Sequence, residues 1–166
     1  LRGASGAFDR FAQTEAWYKK YTEILERLGW TSEQFAFARH DQQEGELRMD
    51  QAALALIAAI ATQNQLAVLN EAIQALETLA EDDKTLRLFD FHTSTQASGN
   101  FQLGAVQTTN NGALSLALGA FHFKSHDARR RVLFVKWGAQ QLEFWTAAQR
   151  LTLNTTQYAT LRDAVE

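Results

Sequence analysis

Asp90 and His92 stand two residues apart in the alternating stretch Leu86 to His92. On a strand, residues i and i+2 share a face. The pair could therefore serve as an orienting carboxylate and a base, the core of a small hydrolase-like enzyme. No nucleophile motif accompanies them. A G-x-S-x-G elbow is absent, and Ser115, between Leu114 and Leu116, reads as a strand residue on a face of small side chains. The commoner account of Asp90 and His92 is two solvent-facing polar residues on an antiparallel strand. His122 and His126 are four apart, but they lie where a strand runs into a loop. A metal pair at that spacing needs a helix, where i and i+4 align, so no metal site is expected. Gly104, Gly112 and Gly119 fall in or between strands, away from any strand-to-helix turn that would cradle phosphate. No cofactor is expected. The chain has no cysteine, which removes disulfides, thiolate nucleophiles and cysteine-ligated metal clusters.

Binding is the stronger theme. Arg129, Arg130 and Arg131 form the densest charge, with His126 in the same loop. Such a cluster suits phosphate, a lipid headgroup or a sulfated sugar. It also suits a charged loop that keeps a sheet edge from pairing with neighbours. Net charge is −3, which argues against a dedicated nucleic-acid binder. Residues 85–166 carry eight basic and five acidic side chains, a balance of +3, so the first half carries −6. The expected partners are a protein, a glycan or an anionic membrane surface, with homo-oligomerisation left open.

Phe101 to Phe123 is the most distinctive segment. It is long, alternating and rich in Gly, Ala, Ser, Thr, Asn and Gln, and it carries no Asp, Glu, Lys or Arg until Lys124. A membrane-inserting hairpin uses such a pattern. A sheet covered by helices uses it too, and the alanine-rich stretch before it supplies a partner. Trp17, Trp30, Trp137 and Trp145 would be interfacial anchors if exposed and core if not.

These residues need a frame, and the hydrophobic period supplies it. From Asp50 to Ala80 apolar residues recur at three and four; from Thr85 to about Leu153 they recur at two. Helices followed by strands predict an α+β fold. A chain of 166 residues that is 46% apolar reads as one domain, 1–166, with residues 1–7 a flexible lead-in. No signal peptide is visible, and the ten-residue apolar run Ala52 to Ala61 is too short to span a bilayer, which needs about 20. The compartment is left unassigned.

The first helix is expected to end at Leu28, with Gly29 as its stop. A β-hairpin follows from about Glu33 to Met49. Asp50 caps a nearly all-apolar helix to Ala61, and Thr62 with Gln65 forms a capping box for a helix to about Ala80. In the second half, Asn111-Gly112 marks a two-residue hairpin turn. Large residues change parity at Gly119, which suggests a β-bulge. Shorter strands cover Arg131 to Trp137, Gln141 to Thr146 and Leu151 to Leu153, and Asn154 or Thr155 caps a last helix. The sum is an antiparallel meander of about five or six strands packed on an N-terminal helical pair, with a C-terminal helix. Its expected role is non-enzymatic binding, in sharper form membrane-active or toxin-like, through the sheet and its loops.

Overall fold

The computed structural model describes residues 2–32, 38–39, 46–79, 84, 98–125, 133–134, 136–138 and 142–165. Helices α1 (Arg2–Ala7) and α2 (Thr14–Arg27) come first. Strands β1 (Trp30–Ser32), β2 (Ala38–Arg39) and β3 (Glu46–Arg48) follow, then α3 (Met49–Ala58) and α4 (Gln63–Glu77). The second half carries β4 (Ser98–Thr108), β5 (Leu114–Ser125), β6 (Lys136–Gly138), β7 (Leu142–Leu153) and α5 (Thr155–Val165). The fold is α+β, with an antiparallel five-stranded sheet in the order β1-β7-β5-β4 and β2 also on β7.

The middle of this sheet is long and unbroken. β4 pairs with β5 from Ser98↔Lys124 to Thr108↔Leu114, and β5 with β7 from Leu114↔Leu153 to Ser125↔Leu142. The expected bulge at Gly119 is absent, since Leu103↔Gly119↔Ala148 sits in continuous register. The parity change has another cause: both faces of the sheet are covered. Phe101, Ala105, Ala117, Phe121, Phe123 and Phe144 form one core with Met49, Ala53 and Ile57 of α3 and Leu69 of α4. On the opposite face, Ala120 packs with Ala4 of α1 and Trp17 and Tyr18 of α2. Large side chains go to whichever face has room. Gly119 has none, because a Cβ there would stand 2.7 Å from Ile57 Cγ1.

Other local expectations are met or corrected. Gly29 ends α2 with φ +93°, the left-handed stop that glycine allows. Thr62 and Gln65 make the expected capping box, and Asn154 Oδ1 accepts from Gln157 N at 3.1 Å as the cap of α5. Asp50 is not a cap. It lies inside the first turn of α3, where Arg48 holds its carboxylate at 2.8 Å. The turn after β4 is the three-residue form: Gly112 N donates to Thr109 O, Thr109 N donates to Ala113 O, and Gly112 takes the positive φ, +81°.

The lead-in is helical instead of loose, with Ala4 fully buried. Of the supposed 33–49 hairpin the described residues are 38–39 and 46–49, and these do not pair with each other. β2 joins β7 and β3 joins β6 in a separate two-stranded sheet. The two pieces expected within 141–153 are one strand, β7. The strand expected at Leu86 to His92 lies outside the described residues.

Candidate functional site

Three features surround the β4–β5 hairpin. The first is the hairpin itself. From Ser98 to Phe123 it has no Asp, Glu, Lys or Arg, and it has no proline. β4 runs 11 residues and β5 runs 12. At about 3.4 Å per residue each strand is ~37 Å or more long, against a bilayer core of about 30 Å.

The second is a polar node at the base of the hairpin, where the chain entering α2 is bolted to the sheet. Asn100 is fully buried. Arg10 Nε donates to its Oδ1 at 2.6 Å, and Arg10 Nη2 donates to its backbone carbonyl at 2.8 Å. Asn100 Nδ2 returns a bond to Arg10 O at 2.8 Å. The Arg10 guanidinium also lies 5.3 Å from the Trp17 ring, and burial holds its pKa below the usual arginine value. The neighbouring residue across the ladder is His122. Its Nδ1 is 3.2 Å from Gly99 O and 3.4 Å from Thr14 Oγ1. The Thr14 hydroxyl donates to Arg10 O at 3.0 Å. Both oxygens near Nδ1 are therefore acceptors, so Nδ1 carries the hydrogen. The ring stacks on Trp145, centroids 5.2 Å apart. Burial pushes the His122 pKa down; the Gly99 bond opposes this and Lys124 adds to it.

The third is a contrast between the two helical layers. Among the described residues, buried side-chain atoms without a partner are Thr22 Oγ1, Gln102 Nε2 and both amide atoms of Gln149. All belong to the α2 layer, since Thr22 is on α2 while Gln102 and Gln149 share the sheet face of Ala120. Among the described residues no such atom belongs to α3 or α4. Gln65 Nε2 donates to Ala105 O at 2.9 Å and to Ser115 O at 3.0 Å. Thr62 Oγ1 bonds Gln107 Oε1 at 2.5 Å, and Arg48 joins Asp50 to Glu77.

The candidates read from the sequence fare differently. Asp90, His92, His126, Arg129, Arg130 and Arg131 lie outside the described residues. His122 is described, and its neighbours are a threonine, a tryptophan and a backbone carbonyl. Among the described residues no group of three or more His, Asp or Glu is placed to hold a metal. Arg10, Thr14 and Asn100 had no signal in the sequence, because Arg10 and Asn100 meet across 90 positions. No helix among the described residues is long and apolar enough to cross a membrane, a statement that does not bear on strands.

No family model matches the chain. No curated protein matches it either. Among solved structures it is similar to the activated Cyt2Ba monomer from Bacillus thuringiensis subsp. israelensis, at 11% identity over 82% of this chain and 79% of that one, TM-score 0.46. It is also similar to the Evf virulence factor, at 12% identity over 89% of this chain and 56% of that one, TM-score 0.37. Likeness at this level assigns no function.

Proposed function

We propose that this chain is a non-enzymatic, membrane-active protein that engages lipid through the β4–β5 hairpin. The observation that carries the reading is the hairpin's length without formal charge: the 11 residues of β4 and the ten of β5 that precede Lys124, in unbroken register. A strand crossing a bilayer needs about 9–11 residues. A charged side chain on its lipid face costs about 2–4 kcal/mol at the midplane. Arg129, Arg130 and Arg131 follow within a few residues of the end of β5 at Ser125. With the hairpin tip leading, they would remain at the near headgroups, where each basic side chain contributes about 1 kcal/mol to anionic-lipid attraction. His126 belongs to the same proposed contact.

Dye release from vesicles of mixed phosphatidylcholine and phosphatidylglycerol is the test. Micromolar protein should release the dye. Val106 is 54% exposed near the hairpin tip, so Val106→Lys should leave the fold intact while suppressing release. Reversing the three arginines to Glu should weaken binding to the anionic vesicles. Absence of release at any pH between 4 and 9 would overturn the reading.

A further inference from the structure

We propose that the α1–α2 layer is an acid-released cover over the sheet, with protonation of His122 as its trigger. This deepens the membrane-active reading; it rests on that reading for its purpose but not for its test.

The geometry comes first. α2 runs along one face of the sheet from the hairpin base, where Thr14 meets His122, to the tip end, where Gly29 O accepts from Asn154 N at 2.8 Å. On that face, from the Ala120 row toward the tip, lie Leu118, Leu151 and Leu153, all buried, with Leu114 and Leu116 beside them. Lifting α1 and α2 would uncover Ala120 and open the sheet face that it shares with these leucines. The layer that would lift is also the poorly satisfied one. Gln149 is 3% exposed with both amide atoms unpaired, and Thr22 Oγ1 is unpaired as well. Buried groups without partners carry a desolvation cost that water would relieve.

The charges around His122 set the direction. From the segment before α2 comes Arg10, joined through Asn100. β5 supplies Lys124, and β7 supplies Trp145 with Glu143, which is opposite Lys124. β2 places Arg39 opposite Trp145. α2 and β4 contribute the neutral Thr14 and Asn100. Among the described residues Lys124 is the charge that bears on the imidazole, and Arg10, Arg39 and Glu143 stand one residue further out. The Nδ1 hydrogen of His122 is already used on Gly99 O, so an added proton enters at Nε2 and places a further positive charge in a buried site. The closed state therefore holds the imidazole pKa below that of the released state. As pH falls below the ordinary value of about 6.5, the closed state loses stability, about tenfold in its opening equilibrium per pH unit, until the lowered pKa is passed.

The chain has no cysteine, so single thiols report without background. Ala120→Cys places one under α2, and Ala117→Cys places one under the opposite layer; both sites are fully buried. Gln149→Cys reports on the α2 side if Ala120→Cys does not fold. Dithiodipyridine, which reacts in acid, is the probe, and no membrane is present. Relative to a free thiol at the same pH, which itself loses thiolate about tenfold per unit, the α2-side thiol should gain about tenfold in reactivity for each pH unit below 6.5 until the lowered pKa of His122 is passed, while the Ala117→Cys thiol stays protected. Adding His122→Gln should flatten that response. The proposal is overturned if the α2-side thiol stays protected to pH 4, if both thiols open together, or if His122→Gln leaves the pH response unchanged. Vesicle leakage and thiol opening fail separately, so loss of one reading is distinguishable from loss of the other.

Discussion

A methyl group at Gly119 would meet Ile57 Cγ1 at 2.7 Å and Phe121 Cε2 at 2.9 Å. Gly119→Ala should therefore lower stability by about 1–3 kcal/mol in urea unfolding. Ile57→Ala alone should cost about 2–5 kcal/mol by cavity formation. Together the two should cost less than their sum, because the added methyl enters the space the isoleucine leaves; strict additivity would show that they do not touch. Gln65 offers a sharper contrast. Its amide nitrogen donates to carbonyls of both β4 and β5, and its oxygen accepts from Thr62 N at 3.0 Å. Gln65→Glu would aim a carboxylate at two carbonyl oxygens, so it should destabilise more than Gln65→Ala. Its folded-state pKa would be raised, so the deficit should shrink as pH falls toward 5, where the acid protonates and can donate. A pH-independent deficit would contradict this geometry. The capping half of Gln65 was legible, because a box depends on a spacing of three. Its bridging half was not, because the partners lie 40 and 50 positions away.

At the scale of elements, local signals held at three helix ends and failed at a fourth, where α3 begins at Met49 and Asp50 lies inside its first turn. α4 starts one residue after Thr62, α2 ends before Gly29, and α5 starts after Asn154. Local signals also failed where pairing partners decide. The alternating residues 33–49 looked like a hairpin, yet β2 and β3 each find a distant strand, β7 and β6. Alternation reports that a strand has two unlike faces, not which strand it meets. The second helical cover was missed for a related reason. α2 showed an amphipathic face, but nothing local said that it would lie opposite α3 and α4. The two covers predict an ordered loss of structure. Amide hydrogen exchange at neutral pH should be faster in Thr14–Arg27 than in Gln63–Glu77, since among the described residues the unpaired buried atoms lie in the α2 layer. Equal protection in both helices would show that the layers open as one. Thr62→Ala should cost about 1 kcal/mol and speed exchange in α4 alone.

At the scale of the whole molecule, charge and topology reinforce each other. Residues 1–84 supply both helical covers, α1–α2 and α3–α4, and carry −6, while residues 85–166 supply the long strands and carry +3. An anionic bilayer would draw the strand-bearing half and repel the covers. Dye release should therefore rise with the anionic lipid fraction and fall with added salt, as screening shortens the reach of both effects. The cover model adds a stricter demand. His122→Arg would place a permanent cation where the native chain holds a neutral ring between Gly99 O and Trp145. That charge cannot be shed at neutral pH, so the α2 layer should stand open without acid. Vesicle leakage by this variant should match at pH 7.5 what the native chain reaches near pH 5, and it should lose its pH dependence. His122→Gln should behave oppositely, remaining closed and weakly active in acid. If His122→Arg retains native circular dichroism and a protected α2-side thiol yet leaks at neutral pH, release of the cover is not the step that admits the hairpin. Attention would then turn to the α3–α4 layer, which Gln65 and Thr62 tie to β4 and β5.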